Sequence, residues 1–200
     1  MFNSSKIVSR RGMFVGTCAL ILVLVGCISM PLGDPEKAKV DDKLVGAWLS
    51  PVDSSNGQAT LFTVVPYDSR TCLVSEMAFS KDGDTIKPAG RFDWKMWLVD
   101  VKGTRFAALE MKNPQFAFGQ EAERYAVAKI TTTGDTITIT PIKDDFVKNA
   151  KITTSKELED LVGANLENAQ MFSDPMTLTK VKDDQKEAVG KVIDAFSQVK

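Results

Sequence analysis

Between Leu44 and Ile142 the chain repeats one pattern: a short run of β-prone residues, then a tight turn, roughly every 10 to 15 residues. Alternation of side chains between two faces is the signature of a strand. Short turns between successive strands leave no length for a crossover, so neighbours pair antiparallel. A series of such hairpins folds as an up-and-down barrel or a sandwich. The runs are Leu44–Ser50, Thr60–Val65, Thr71–Ser80, Arg91–Val101, Arg105–Met111, Glu121–Thr131 and Thr136–Ile142. Between them stand Pro66-Tyr67-Asp68-Ser69, Lys81-Asp82-Gly83-Asp84, Lys102-Gly103 and Thr133-Gly134-Asp135, rich in turn formers. Phe92, Trp94, Met96 and Leu98 share one side of their strand, and Arg91, Asp93, Lys95 and Trp97 the other. Leu73, Met77 and Phe79 share a face, and Phe106, Ala108 and Glu110 alternate against Ala107, Leu109 and Met111.

The pattern changes at Asp144. Asp144 to Asn149 reads as one or two helical turns. Thr154, followed three residues later by Glu157, is a capping box, and Leu158, Leu161, Val162 and Leu166 continue it as an apolar stripe. Met176 to Val181 reads as a last strand. Beyond it, Val189, Val192, Ile193 and Phe196 fall on one face of a C-terminal helix. The expected fold class is therefore mainly β, a β-rich α+β chain. Its barrel is antiparallel and up-and-down, with short helices before the last strand and one helix after it.

The N-terminus has a separate logic. Lys6, Arg10 and Arg11 precede an apolar run, Met13 to Val25, which ends in Leu24-Val25-Gly26-Cys27. The run is too short for a spanning helix, which needs about 20 residues, and fits a cleaved secretory signal. Its last four residues resemble the lipobox of bacterial lipoproteins. The resemblance implies a diacylglyceryl thioether on Cys27, which becomes the first residue of the mature chain and binds it to the membrane. Ile28 rather than Asp follows, which in enteric-type bacteria implies the outer membrane, facing the periplasm. Ser9-Arg10-Arg11 is compatible with either Sec or twin-arginine export. Residues 1–26 thus read as signal, 27–42 as lipidated Cys and solvated tether, 43–181 as barrel and 182–200 as a helical tail.

Removing the signal takes three of the 25 basic residues and none of the 26 acidic ones, leaving a mature net charge of −4. A mildly acidic surface argues against nucleic acid. Cys18 leaves with the signal and Cys27 takes the lipid, so Cys72 has no partner for an intramolecular disulfide. It reads as a small buried residue of a strand rather than a reactive thiol. The chain has no histidine. That removes Ser-His-Asp and Cys-His nucleophilic sites and most zinc sites, and no catalytic residue, metal ligand or cofactor is expected.

Gly46-x-Trp48 resembles the first motif of the lipocalins, in which the Trp closes one barrel end. Thr-Asp-Tyr is absent, and Lys180 stands where an Arg would cover that Trp. A broader likeness over residues 43–181 is to bacterial lipoproteins with a lipocalin-like barrel. It runs from Leu44-Val45-Gly46-x-Trp48 through Gly134-Asp135-Thr136-Ile137-Thr138-Ile139 and Ile152-Thr153-x-Ser155-Lys156-Glu157-Leu158 to Leu178-Thr179-Lys180. The likeness implies a fold and no activity.

Asp144 and Asp145 read as charge at a helix start rather than a metal site, and Asp82 and Asp84 as turn residues without the other ligands of a calcium loop. Trp48, Trp94, Trp97, Phe106, Phe116 and Phe118 are the candidate ligand-lining residues, with plain core as the bland reading. Phe116 and Phe118 sit in a loop, where a lid or contact patch is the functional alternative. The expected function is binding of a small apolar or lipid-like molecule. The alternative is docking of another envelope protein, and a carboxylate-based enzyme stands behind both.

Overall fold

Eight strands close on themselves in a computed structural model of the protein, which describes residues 28–54, 57–82, 85–112 and 125–197. They are β1 (Gly46–Leu49), β2 (Gln58–Pro66), β3 (Cys72–Asp82), β4 (Thr85–Val101), β5 (Thr104–Met111), β6 (Tyr125–Thr133), β7 (Thr136–Pro141) and β8 (Met176–Lys180). Every neighbour is antiparallel, in chain order, and β8 returns to β1 through Trp48 opposite Lys180 and Leu49 opposite Thr179. The expected up-and-down barrel is the observed one. Three α-helices accompany it among the described residues: α1 (Asp144–Asn149) and α2 (Ser155–Ala164) before β8, and α3 (Lys186–Ser197) after it.

The sequence pattern starts β4 at Arg91, but the strand begins at Thr85. Pro88 and Gly90 look like breakers. A bulge resolves them: Ala78 pairs with Gly90 and Phe79 with Pro88, so the extra residue, Ala89, is absorbed between them.

The strands bury both of their faces. Inward residues, among them Trp48, Phe62, Val74, Trp94, Met96, Ala107, Ile130 and Leu178, form the interior cluster. Outside, α1, α2 and residues 28–38 cover Trp97, Val101, Phe106, Ala108 and Val127. The capping box starts α2: Thr154 Oγ1 accepts from the Glu157 N–H at 3.2 Å, and Glu157 Oε2 accepts from the Thr154 N–H at 3.1 Å. Leu158 and Val162 of its stripe are then buried. A Cβ on Gly163 would lie 3.3 Å from Val101 Cγ1, so α2 approaches β4 closely at that point. On the remaining side, α3 covers Leu61 and Met77 with Val192 and Phe196, so the tail belongs to the fold.

Residues 28–42 do not form the solvated tether that their composition suggests. Ile28 and Leu32 are fully buried. The Ile28 N–H donates to the Tyr125 carbonyl at 2.5 Å and the Tyr125 N–H returns a bond at 3.0 Å. Trp97 Nε1 donates to the Leu32 carbonyl at 2.9 Å. Farther on, ion pairs of Glu36 with Arg70 (2.7 Å) and Asp41 with Arg105 (2.6 Å) tie the segment to the β2–β3 connection and to β5. Val40 and Leu44 then close that barrel end from below. Charge and proline disguise the segment; its few apolar residues are spaced to meet an outer face, not to repeat a helix or a strand.

Leu32→Ala is expected to lower unfolding stability by about 2–5 kcal/mol, the ordinary cost of truncating a buried leucine. Urea unfolding measures it. An unchanged midpoint would return residues 28–42 to the status of a tether.

Candidate functional site

The barrel interior holds a cavity of about 90 Å³. Its walls come from every strand: Trp48, Phe62, Val64, Val74, Trp94, Met96, Leu109, Ala126, Ile137 and Leu178 are among them. Of all its lining residues, Glu76 alone carries charge. The cavity floor is Leu44, beside Trp48. Trp48 Nε1 donates to the Leu44 carbonyl at 2.8 Å, and Lys180 Nζ lies 5.3 Å from the Trp48 ring centre. Lys180 thus puts a cation over the tryptophan, the contact the lipocalin resemblance expects from an arginine.

Glu76 lies beyond Val74 toward the opposite end of the barrel, where the β3–β4, β5–β6 and β7–β8 connections meet. Its neighbours across the ladders are Phe62 on β2 and Phe92 on β4. Trp94 Nε1 donates to Glu76 Oε2 at 3.3 Å. The carboxyl is half-buried among apolar walls. Loss of hydration pushes its pKa up to about 7, and the Trp94 hydrogen bond, which favours the anion, only partly offsets that.

The candidate residues separate by the parity of their strands. Trp48 and Trp94 line the cavity. Trp97 and Phe106 do not: both are buried on the outer face, under Leu32, Leu158 and Val162. Their expected ligand contact is corrected to a packing role, because Trp97 is one residue out of phase with Trp94 and Met96. Phe116, Phe118 and Cys27 lie outside the described residues.

Glu76 escaped the sequence reading. The face of β3 singled out there, Leu73, Met77 and Phe79, is the outer one, where α3 covers Met77 and Phe79. The inner face carries Cys72, Val74 and Glu76. An acid in phase with Cys72 and Val74 was the available signal, masked because both faces of β3 are apolar. Cys72 is buried, and loss of hydration raises its thiol pKa, which keeps the thiol protonated and unreactive. Asp144 and Asp145 occupy the first turn of α1, with Lys148 Nζ 2.6 Å from Asp144 Oδ2. No group of three or more potential metal ligands occurs among the described residues.

Comparison with protein-family models, with curated proteins and with solved structures finds no match. The class is therefore stated from geometry: a closed, eight-stranded antiparallel barrel with an apolar interior and a single acid in its wall.

The raised pKa makes stability depend on pH with a definite sign. The folded protein holds the Glu76 proton more tightly than the unfolded chain does. That contribution is full below about 4.5 and is lost as pH rises through about 7. Relative to Glu76→Gln, which keeps an acceptor for Trp94, the wild type should lose about 2 kcal/mol between pH 4 and pH 8, somewhat under the limit set by the shift because the group keeps some water. Denaturant unfolding of both proteins at the two pH values checks it. Parallel pH profiles would show that Glu76 titrates normally.

Proposed function

We propose that the protein is a lipid-anchored component of a bacterial envelope that binds a small apolar molecule inside its barrel. The observation that carries the binding reading is the interior cavity, apolar on all sides but one. The anchoring reading is supported by the basic, apolar and Leu-Val-Gly-Cys succession that ends at Cys27. With Ile28 in place of Asp after Cys27, the outer membrane, facing the periplasm, is the proposed location.

Size restricts the ligand. The cavity is smaller than the ~150 Å³ that accommodates benzene and far below the ~300–1,000 Å³ of drug-sized sites. A short apolar group fits as the walls stand. Met96 and Met176 give the lining adaptable side chains for something larger.

The anchor also sets an orientation. Ile28 is bonded to Tyr125, the first residue of β6, at the same barrel end toward which Glu76 lies. Cys27 is the next residue, and one residue spans at most ~3.6 Å. A lipid on Cys27 therefore holds that end against the bilayer, so an apolar ligand would pass between membrane and barrel with little exposure to water. The opposite end faces away and presents Val65 and Tyr67, both exposed. Those two side chains are what favours the second reading, a docking site for another envelope protein.

The full chain is expected in the membrane fraction with a mass increment for lipid, and Cys27→Ala is expected to lose both. A Cys27→Ala protein that still sheds residues 1–26 and stays with the membrane would refute the anchor. Native against denaturing mass spectra of the wild type should show a small molecule released on unfolding. Identical masses would shift the assignment to docking through Val65 and Tyr67.

A further inference from the structure

We propose that Glu76 recognises the head of the ligand, and that the ligand class is a short apolar amine, its cationic nitrogen at Glu76 and its hydrocarbon tail on the Trp48 side of the cavity. The proposal rests on the cavity-binding reading and adds the chemistry that the cavity selects.

The geometry separates head from tail. Apart from the Glu76 carboxyl, the cavity wall is built from apolar and aromatic side chains. Trp94 Nε1 engages Oε2, and Oε1 has no hydrogen bond from any described residue. One acceptor oxygen is therefore free at the side of an apolar space. A donor on a ligand could reach it there and gain a hydrogen bond to a carboxylate, one of the stronger kinds.

The surroundings decide the charge of that donor. Phe62 faces Glu76 from β2, Phe92 and Trp94 from β4, and Val74 and Cys72 precede it on its own strand. The Cys72 thiol stays neutral. The charged side chains of β4 nearest Glu76, Arg91, Asp93 and Lys95, belong to the other face, where Arg91 bonds Asp93 and Lys95 lies over Tyr67, while Lys87 bonds Asp82 farther along the hairpin. Lys180 sits at Trp48, by the Leu44 floor. Among the described residues no cation thus answers Glu76. A carboxylate ligand such as a fatty acid would meet a like charge in a poorly hydrated space, whereas an ammonium would supply the missing partner. With the Glu76 pKa near 7, an amine should bind more tightly as pH rises from 6 to 8 and the carboxyl ionises.

Calorimetric titration of the full chain with n-butylamine, n-butanol and butyrate at pH 8 tests this. The amine is expected to bind about tenfold or more tighter than the alcohol, the gain of a charge-assisted over a neutral hydrogen bond, with no measurable butyrate binding. Glu76→Gln should lower amine affinity to that of butanol and leave butanol within about twofold, since the Gln amide can still bond a hydroxyl. The amine preference of the wild type should shrink at pH 6. Equal affinities for amine and alcohol, or an amine preference that survives Glu76→Gln, would overturn the head-group assignment and leave the cavity reading intact. Failure of all three to bind would overturn both.

Discussion

Closure of the barrel depends on its two shortest strands. β1 has four residues and β8 five, and they share only two cross-strand pairs. An open seam there would leave two unpaired edges, with their N–H and C=O groups available to other chains. The seam is reinforced from both directions. The Val181 N–H continues the pairing to the Ala47 carbonyl at 2.9 Å. Trp48 fills the interior behind it, held by its indole bond to the Leu44 carbonyl and covered by Lys180. Leu44 is also the floor of the cavity, so the contact that closes the sheet also closes the container.

A closed barrel solves the edge problem but not the face problem. Wherever the outer face is apolar, something must cover it, and among the described residues four segments do so. Residues 28–38 and helices α1 and α2 take the side of Trp97 and Phe106, and α3 takes the side of Leu61 and Met77. The contribution of each helix is its apolar stripe rather than its length. α2 is ten residues long, and an isolated helix of that size is marginal in water. The capping box starts it, and burial of Leu158 and Val162 against the sheet keeps it.

How much of this was legible follows from the same division. Strand order, turn positions and the helix stripes are local signals, read from periods of two and of 3.6. The capping box at Thr154 and Glu157 is local too, and it stands as expected. Which face of a strand points inward is not local once both faces are apolar. Phe106 and Trp97 carry as much hydrocarbon as Trp94, and only pairing with their neighbours sends them outside. The segment 28–42 is the extreme case. It has little regular structure, and its place is set by single contacts, Ile28 with Tyr125 and Leu32 with Trp97, between residues far apart in sequence. Glu76 was hidden by the same ambiguity, since an acid beside Met77 and Phe79 reads as solvent-facing until α3 is seen to cover those two.

The position of Glu76 has a physical consequence for the barrel. A carboxyl that loses hydration with no cation beside it among the described residues is held at a cost to stability, and the cost grows as the group ionises. The same position filled by Gln would keep the Trp94 bond without that cost. What the acid offers in place of that economy is an acceptor of adjustable charge at the side of an apolar space. The proposed anchor adds to this. With Ile28 bonded to the first residue of β6, the lipid proposed on Cys27 would share one side of the molecule with the Glu76 end of the barrel. On that proposal an amphiphile leaving the bilayer would lead with its head, and the barrel end nearest it would carry the one charged group of the cavity wall.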